Sequence, residues 1–242
     1  MKRSIAGLSL LLLLPAAPGS AAVPDPAPFD AVLEARARNG GFDYAGAGGQ
    51  DKKRLAAYLA NLGDAQPSSM TPDEKKAFYI NAYNAIAIET LLDNPGKGIR
   101  DISRAFTAAR WRVGGEKVSL DDMENRLREM KDARIHFAIV CASRSCPPLA
   151  PRAYTAAAIE EALEKQGRAF VNDPARNVID RAKGRLALSR IFHWSRKEFE
   201  RDGGNLLKFV ARYGADAGTA SYIATYPKEP EFLDYDWSPN QP

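Results

Sequence analysis

The chain of 242 residues is poor in the side chains that most often carry chemistry, since it holds only two histidines and two cysteines. Such a small number gives no His/Cys spacing of the kind that binds zinc. A glycine-rich phosphate loop and a dinucleotide-binding fingerprint are missing as well. The sequence therefore predicts neither a metal site nor a bound cofactor.

Long apolar runs and blocks of basic residues are also missing. The longest apolar stretch runs from Ile5 to Leu14, which is shorter than the roughly 18–20 residues that a membrane-spanning helix needs. The 34 Lys and Arg residues outnumber the 30 Asp and Glu residues, but they form no cluster. We therefore expect no nucleic-acid partner, and no integral membrane segment after cleavage of the N-terminal signal described next.

The N-terminus has the pattern of a secretory signal peptide over residues 1–22. Lys2 and Arg3 precede the apolar stretch, and Ser20-Ala21-Ala22 suits cleavage after Ala22. Cleavage leaves 242 − 22 = 220 residues with a charge balance of 32 − 30 = +2, because the signal carries two basic residues and no acidic one. We expect a periplasmic or secreted protein, with an uncleaved N-terminal anchor as the alternative.

The rest of the chain is expected to fold as one domain. Residues 23–43 are predicted to be a proline-containing leader with a short helix, and residues 44–240 show no internal repeat or long linker. Thr71, Pro72 and Glu74 form a helix start with a capping box. The helix that begins there is apolar on most faces, so we expect a central, buried helix that reaches Leu92.

Shorter elements surround this helix in the predicted fold. Helices are predicted at 52–62, 119–130, 154–171, 205–213 and 217–226, with hairpins around Gly114-Gly115 and Lys183-Gly184 and a buried strand from Ile135 to Val140. This mixture predicts the α+β class. The expected architecture is a single compact domain with a long central helix, several surface helices and a small sheet with hairpins.

The segment from Arg134 to Pro148 concentrates the reactive side chains, because it holds His136, Cys141 and Cys146. A thiolate is a strong nucleophile, and histidine is its usual base. On an extended strand, however, His136 and Cys141 would lie roughly 16 Å apart and on opposite faces. The base for Cys141 would then come from elsewhere, with His193 as the other histidine, or Cys146 would meet His136 through a folded-back loop. His136 as a hydrogen-bonded strand residue is the simpler alternative.

The oxidation state of the two cysteines has two interpretations. In an exported protein a structural disulfide is the first interpretation. The six-residue span from Cys141 to Cys146, which Pro147-Pro148 follows, can bend enough to join the two sulfurs. The alternative is a pair of free thiols, at least one of them reactive.

Polar side chains near this segment supply further candidates. Asn81 and Asn84 lie one turn apart in the long helix, where buried amides need partners. They would orient a catalytic histidine or donate to an oxyanion, or else tie the helix to a neighbouring loop. Ser143, Arg144 and Ser145 follow the predicted strand and are expected to bind substrate, for example a carboxylate.

Five ordered motifs between Tyr44 and Asn240 resemble the domain of unknown function 547 family. They are Phe78-Tyr-Ile-Asn-Ala-Tyr-Asn84, Ile99-Arg-Asp-Ile102, Ser119-Leu-Asp-Asp-Met-Glu-Asn125, Arg134-Ile-His136 through Pro148, and Tyr235-Asp-Trp-Ser238. The resemblance implies no settled biochemical activity. Similar plant proteins join this domain to a leucine-zipper segment, which implies roles in interaction.

Two classes of function follow. The first is a thiol-dependent hydrolase or acyl transferase for peptide or cell-envelope substrates, in which Cys141 or Cys146 attacks, His136 activates it, and Asn81 or Asn84 orients the histidine. A redox variant would use both cysteines in thiol–disulfide exchange. The alternative is a non-catalytic periplasmic binding or interaction module with a structural disulfide and a small-molecule, peptide or envelope ligand. Catalysis requires Asn81, His136 and a cysteine to meet at one cleft.

Overall fold

Helix α3, Pro72–Leu92, is the central element of the computed structural model, which describes residues 23–242. The predicted signal peptide lies outside these residues. Thr71 accepts a hydrogen bond from the Glu74 amide, and the Glu74 carboxylate accepts one from the Thr71 amide at 2.8 Å. Every residue from 76 to 88 is buried. The predicted start and the buried position of this long helix are therefore confirmed.

The other helices pack around α3 or follow it in the second half of the chain. They are α1 (Ala27–Arg36), α2 (Gly49–Leu62), α4 (Leu120–Glu129), α5 (Ile159–Val171), α6 (Arg190–Trp194), α7 (Arg196–Gly203), α8 (Leu206–Ala211) and α9 (Ala217–Ala224). Short 3-10 helices occur at Pro67–Ser69, Ile99–Asp101, Ala133–Phe137 and Ala156–Ala158. The predicted helices are present with ends shifted by a few residues, while α6 and α7 were not predicted.

The strands are short and form separate small sheets. Strand β1 (Ala37–Arg38) pairs with β2 (Gly41–Phe42), and β3 (Trp111–Val113) pairs with β4 (Glu116–Val118), both antiparallel. Strand β5 (Val178–Asp180) is antiparallel to β6 (Arg185–Leu188), which is parallel to β7 (Glu231–Phe232). Both predicted hairpins are confirmed, and the described chain is a compact α+β domain.

The strand predicted from Ile135 to Val140 is wrong. Ala133–Phe137 is a 3-10 helix whose N-cap, Asp132, accepts a hydrogen bond from the Arg134 amide at 3.1 Å. A short, continuous apolar run fits a buried helical turn as well as a buried strand, so the pattern alone did not separate the two. The alternation of faces that placed His136 and Cys141 on opposite sides therefore does not apply.

This 3-10 helix lies between the two largest buried clusters of the described residues. Ile135 belongs to the cluster built around α3, and Phe137 belongs to the cluster of the second half of the chain. The Phe137 ring contacts Phe170 and Tyr213, with centroids 5.6 and 5.2 Å away. Because Ile135 and Phe137, on either side of His136, are each packed in a buried cluster, the imidazole is held in a fixed position.

A partly buried ion-pair network fixes the start of the same segment. Lys76 Nζ lies 2.8 Å from Asp132 and 3.0 Å from Glu160, and Arg134 contacts the same two carboxylates at 2.8 and 2.6 Å. Burial disfavours ionised Asp132, but hydrogen bonds from Arg134 and Lys76 outweigh it and lower the pKa of Asp132 to about 2. The network thus joins α3, α5 and the 3-10 helix. Within residues 23–242, no helix has both the length and the apolar content to cross a membrane.

Candidate functional site

The sulfur atoms of Cys141 and Cys146 are in direct contact, 2.9 Å apart. A disulfide bond is about 2.05 Å long, so the pair consists of two thiols and the predicted disulfide is not present. The backbone turns sharply between them, because Ala142 has φ of +66° and the Cys146 amide donates to Ser143 O at 3.0 Å. This turn brings both sulfurs to one side of the loop.

Cys146 is surrounded by hydrogen-bond donors. Its sulfur lies 3.1 Å from the amide of Cys141, 3.3 Å from Ser143 Oγ and 3.2 Å from the hydroxyl of Tyr235. Burial disfavours the thiolate, but the hydrogen bonds from Cys141, Ser143 and Tyr235 outweigh it and lower the pKa of Cys146 below its ordinary value. The hydrogen bond to Cys146 and burial raise the pKa of Cys141. Cys146 is therefore the member of the pair that ionises first.

The C-terminal segment, residues 235–240, delivers Tyr235 to this cluster. It runs along the cysteine loop, where the amides of Arg144 and Ser145 donate to carbonyl oxygens of Ser238 and Asp236 at 2.8 and 3.2 Å. Both amides are thus engaged and are not free to bind an anion.

The predicted substrate-binding residues have separate positions. Ser143 is fully buried in the thiol cluster. Arg144 is exposed and faces Asp236 at 3.6 Å, while Ser145 Oγ accepts a hydrogen bond from the Asp236 amide at 2.9 Å. Only Ser143 touches a reactive side chain.

A second polar group forms around His136, which is 4% exposed. Its Nε2 lies 2.9 Å from the carboxylate of Glu198 in α7. The same carboxylate accepts a hydrogen bond from Arg128 of α4 at 2.5 Å. Burial favours the protonated carboxyl, but the hydrogen bond with His136 and the nearby Arg128 lower the pKa of Glu198. Arg128 also binds Glu124 at 2.6 Å. An ionised glutamate therefore holds the imidazole in one orientation.

The thiols and the imidazole line one cavity of about 160 Å³. Its walls are formed by Tyr83, Phe106, Glu124, Arg128, His136, Ile139, Cys141, Cys146, Ile191, Trp194, Ser195, Tyr235 and Trp237. Among the described contacts, no hydrogen bond joins His136 to either sulfur. The geometry thus brings nucleophile and imidazole to the same small space without direct contact.

The two asparagines stand outside this cavity. Asn81 binds the backbone of Tyr154 with both ends of its amide, at 2.7 and 2.9 Å. Asn84 donates to Ala138 O at 2.9 Å and accepts from the Val140 amide at 2.8 Å. Both therefore tie α3 to neighbouring backbone, which was the alternative interpretation, and the expected meeting of Asn81 with His136 and a cysteine at one cleft is wrong. Asn84 holds the residue that precedes Cys141.

His193 is exposed and packs against Phe232, with ring centroids 5.0 Å apart, and it does not line the cavity. Within residues 23–242 no group of three or more His, Cys, Asp or Glu side chains is arranged to hold a metal ion.

Sequence reasoning missed Glu198, Tyr235 and Trp194. Tyr235 lies in a motif that was assigned to the family without a role. Helix α7 was not predicted, so nothing in the sequence connected Glu198 to a histidine 62 residues away. Trp194 follows His193 in the sequence, and no local pattern connects it to the cavity. Contacts between residues this distant in sequence arise from tertiary packing.

The comparisons with known proteins give one result. No curated protein and no solved structure matches the chain. Residues 67–171 match the model of a family described as "Protein of unknown function, DUF547". The match includes α3, His136 and both cysteines, whereas Glu198 and Tyr235 lie beyond it. The similarity to the DUF547 family therefore covers residues 67–171, which is less than half of the 242 residues.

Proposed function

We propose that this protein is a cysteine-dependent hydrolase or acyl transferase in which Cys146 is the nucleophile. One observation carries the proposal: the Cys146 sulfur has the Cys141 amide and the hydroxyl groups of Ser143 and Tyr235 within 3.3 Å, and it lines the cavity that also contains His136. Such donors stabilise a thiolate, which is the attacking form of cysteine.

The reaction would proceed by nucleophilic acyl transfer. The Cys146 thiolate attacks a carbonyl carbon, a C–S bond forms, and the bond to the leaving group breaks as that group takes a proton from His136. Water, or the hydroxyl or amine of an acceptor, then attacks the thioester carbonyl while His136 takes its proton. The new C–O or C–N bond forms, the C–S bond breaks, and the Cys146 thiolate is released. Glu198 orients His136, in the place that the sequence reading gave to an asparagine.

The remaining donors have supporting roles in this scheme. Ser143, Tyr235 and the Cys141 amide hold the thiolate before substrate binds. The Cys141 thiol, 2.9 Å from the Cys146 sulfur, adds a fourth donor. Asn84 is a positioning residue that fixes the backbone leading into the loop.

We also propose that the protein acts outside the cytoplasm, on peptide or cell-envelope substrates. The basic and apolar N-terminal pattern and the cleavage site after Ala22 support export. N-terminal sequencing of the protein recovered from the producing cell tests this. A mature chain that begins at Val23 is expected, and an intact Met1 on protein recovered from the cytoplasm would contradict export.

The proposed nucleophile is tested by labelling and by acylation. We expect iodoacetamide at pH 6.5 to modify Cys146 rapidly in the wild type and more slowly in Cys141→Ala, which lacks the thiol donor. We expect no rapid labelling in Cys146→Ser. With an activated ester, mass spectrometry should find the acyl group on Cys146. Ester turnover that survives Cys146→Ser would overturn the proposal.

The second candidate is a non-catalytic binding module in which Cys141 and Cys146 are oxidised. The 2.9 Å contact favours it, because a small movement brings the sulfurs to bonding distance. Two thiols would lose two protons and two electrons to a disulfide oxidant. Thiol titration of protein from an oxidising compartment separates the candidates: two free thiols favour catalysis, and none before reduction favours the module.

A further inference from the structure

Aromatic rings form a continuous wall beside the thiols. The ring centroids of Trp194 and Tyr235 lie 4.9 Å apart, those of Tyr235 and Trp237 4.5 Å apart, and Phe106 meets Trp237 at 6.2 Å. All four side chains line the cavity that contains Cys146. The Tyr235 hydroxyl also contacts the Cys146 sulfur, so Tyr235 belongs to the aromatic wall and touches the proposed nucleophile as well.

Trp194 is unusually open for its size. It is 51% exposed. Among residues 23–242, Val23 is the one other large apolar residue that is exposed. Tryptophan is costly to leave in water, and an exposed tryptophan at the edge of a cavity is typical of a surface that receives a ligand. The side chain therefore marks the entrance side of the thiol cavity as a binding surface.

The size of the cavity limits what can enter it. At about 160 Å³ it is close to an apolar protein cavity of about 150 Å³ that holds one benzene molecule. One six-membered ring or one branched alkyl group fits this volume. A fused pair of rings would extend from the cavity into solvent.

The charges of the cavity are already paired with one another. Arg128 binds Glu124 at 2.6 Å and Glu198 at 2.5 Å, and Glu198 binds His136 at 2.9 Å. A charged ligand group would have to break one of these pairs or remain without a partner. An uncharged group is therefore favoured.

We propose that the thiol cavity binds an uncharged, ring-sized apolar group that lies next to the reacting carbonyl, as in a phenylacetyl or branched-chain acyl ester, amide or thioester. This assignment of substrate class rests on the proposed function, since it takes the Cys146 sulfur as the atom that the carbonyl must reach. The aromatic wall supplies the binding energy, and the paired charges exclude acidic and basic acyl groups.

Four chloroacetamide probes test the proposal at pH 6.5: the N-methyl, N-benzyl, N-(naphthylmethyl) and N-(4-carboxybenzyl) compounds. In each, the Cys146 thiolate displaces chloride, so that a C–S bond forms and a C–Cl bond breaks. Rates are divided by the rates with glutathione to remove intrinsic reactivity. We expect the benzyl probe to label roughly tenfold to a hundredfold faster than the methyl probe, because its ring is buried. The naphthyl and carboxybenzyl probes should lose most of this gain.

Variants and a non-covalent measurement complete the test. Trp194→Ala should reduce the benzyl preference, whereas Tyr226→Ala, outside the cavity, should change neither the benzyl preference nor the methyl rate. In Cys146→Ser, N-benzylacetamide should quench tryptophan fluorescence, and Trp194→Ala in that background should abolish the change.

The outcomes separate the two proposals. Rapid methyl labelling of Cys146 with no preference for the benzyl probe, or equal preference for the naphthyl or carboxylated probe, overturns the substrate class and leaves the nucleophile in place. Slow labelling by every probe together with N-benzylacetamide binding overturns the nucleophile and retains the ring-sized site.

Discussion

The side chain of Asn84 and the backbone amide of Val140 are joined by a buried hydrogen bond of 2.8 Å. The same carboxamide donates to the carbonyl of Ala138 at 2.9 Å. Together these bonds do for residues 138–140 what a neighbouring strand would do in a sheet, since they satisfy a backbone donor and a backbone acceptor that have no access to water. The central helix thereby sets the path of the chain into Cys141.

Replacing Asn84 by Ala should be strongly destabilising. The change leaves Ala138 O and the Val140 amide buried without partners, and each unsatisfied group costs about 1–3 kcal/mol. We expect the free energy of unfolding, measured with urea, to fall by about 2–4 kcal/mol. Asn125→Ala on the exposed side of α4 is the control and should change it by less than about 0.5 kcal/mol. A loss below about 1 kcal/mol for Asn84→Ala would contradict this role.

Tyr235→Phe should raise the pKa of the Cys146 thiol, because it removes one donor to the thiolate. A hydrogen bond to a charged group contributes about 1.5–3 kcal/mol, which corresponds to roughly 1–2 pH units. The iodoacetamide labelling rate at pH 6.5 should fall roughly three- to twentyfold, and the rates of variant and wild type should converge above pH 9. Tyr226→Phe is the matched control. An unchanged pH profile would remove Tyr235 from the thiol site.

Glu198→Gln should lower ester hydrolysis and leave the thiol reactivity intact. The glutamine loses the charge that stabilises protonated His136, and general acid–base catalysis contributes typically 100- to 10,000-fold. We expect the hydrolysis rate to fall at least tenfold, while iodoacetamide labelling of Cys146 stays within about twofold of the wild type. Glu200→Gln, which changes the i,i+4 partner of Arg196 on the same helix, serves as control. Parallel losses of labelling and hydrolysis would indicate a purely structural role for Glu198.

Acid should weaken the ion-pair network of Asp132. Its pKa falls from the ordinary value of 3.8 to about 2 on folding, so the ionised form stabilises the folded protein above pH 4 and this contribution is lost as the pH drops from about 4 to 2. Because solvent screens part of the interaction, we expect on the order of 1–2 kcal/mol. Urea unfolding at several pH values should show that Asp132→Asn is less stable than the wild type at pH 7. The difference should shrink towards pH 2, whereas exposed Asp64→Asn should match the wild type throughout.

Local signals made much of the fold predictable. The capping box at Thr71 and the apolar faces of the following helix identified α3, and the Gly114-Gly115 and Lys183-Gly184 turns identified two hairpins. The segment after Asp132 was misread because an apolar run of six residues does not distinguish a strand from a buried 3-10 turn. That single error separated His136 from Cys141 in the predicted geometry.

The candidate site was predictable only in part. The sequence concentrated His136 and the two cysteines in one segment, and these three line one cavity. The partners that define their chemistry, Glu198 and Tyr235, lie 62 and 89 residues from the groups they contact. No local pattern encodes a pairing at that range, because it depends on how α7 and the C-terminal segment pack.

The attachment of residues 235–240 to the cysteine loop has a consequence for biosynthesis. The Cys146 sulfur obtains its phenolic donor only after the ribosome has added Tyr235 and the tail has docked through the Arg144 and Ser145 amides. Until then the pKa of the Cys146 thiol stays closer to the ordinary value for cysteine. Docking of residues 235–240 is therefore coupled to the acidity of the Cys146 thiol.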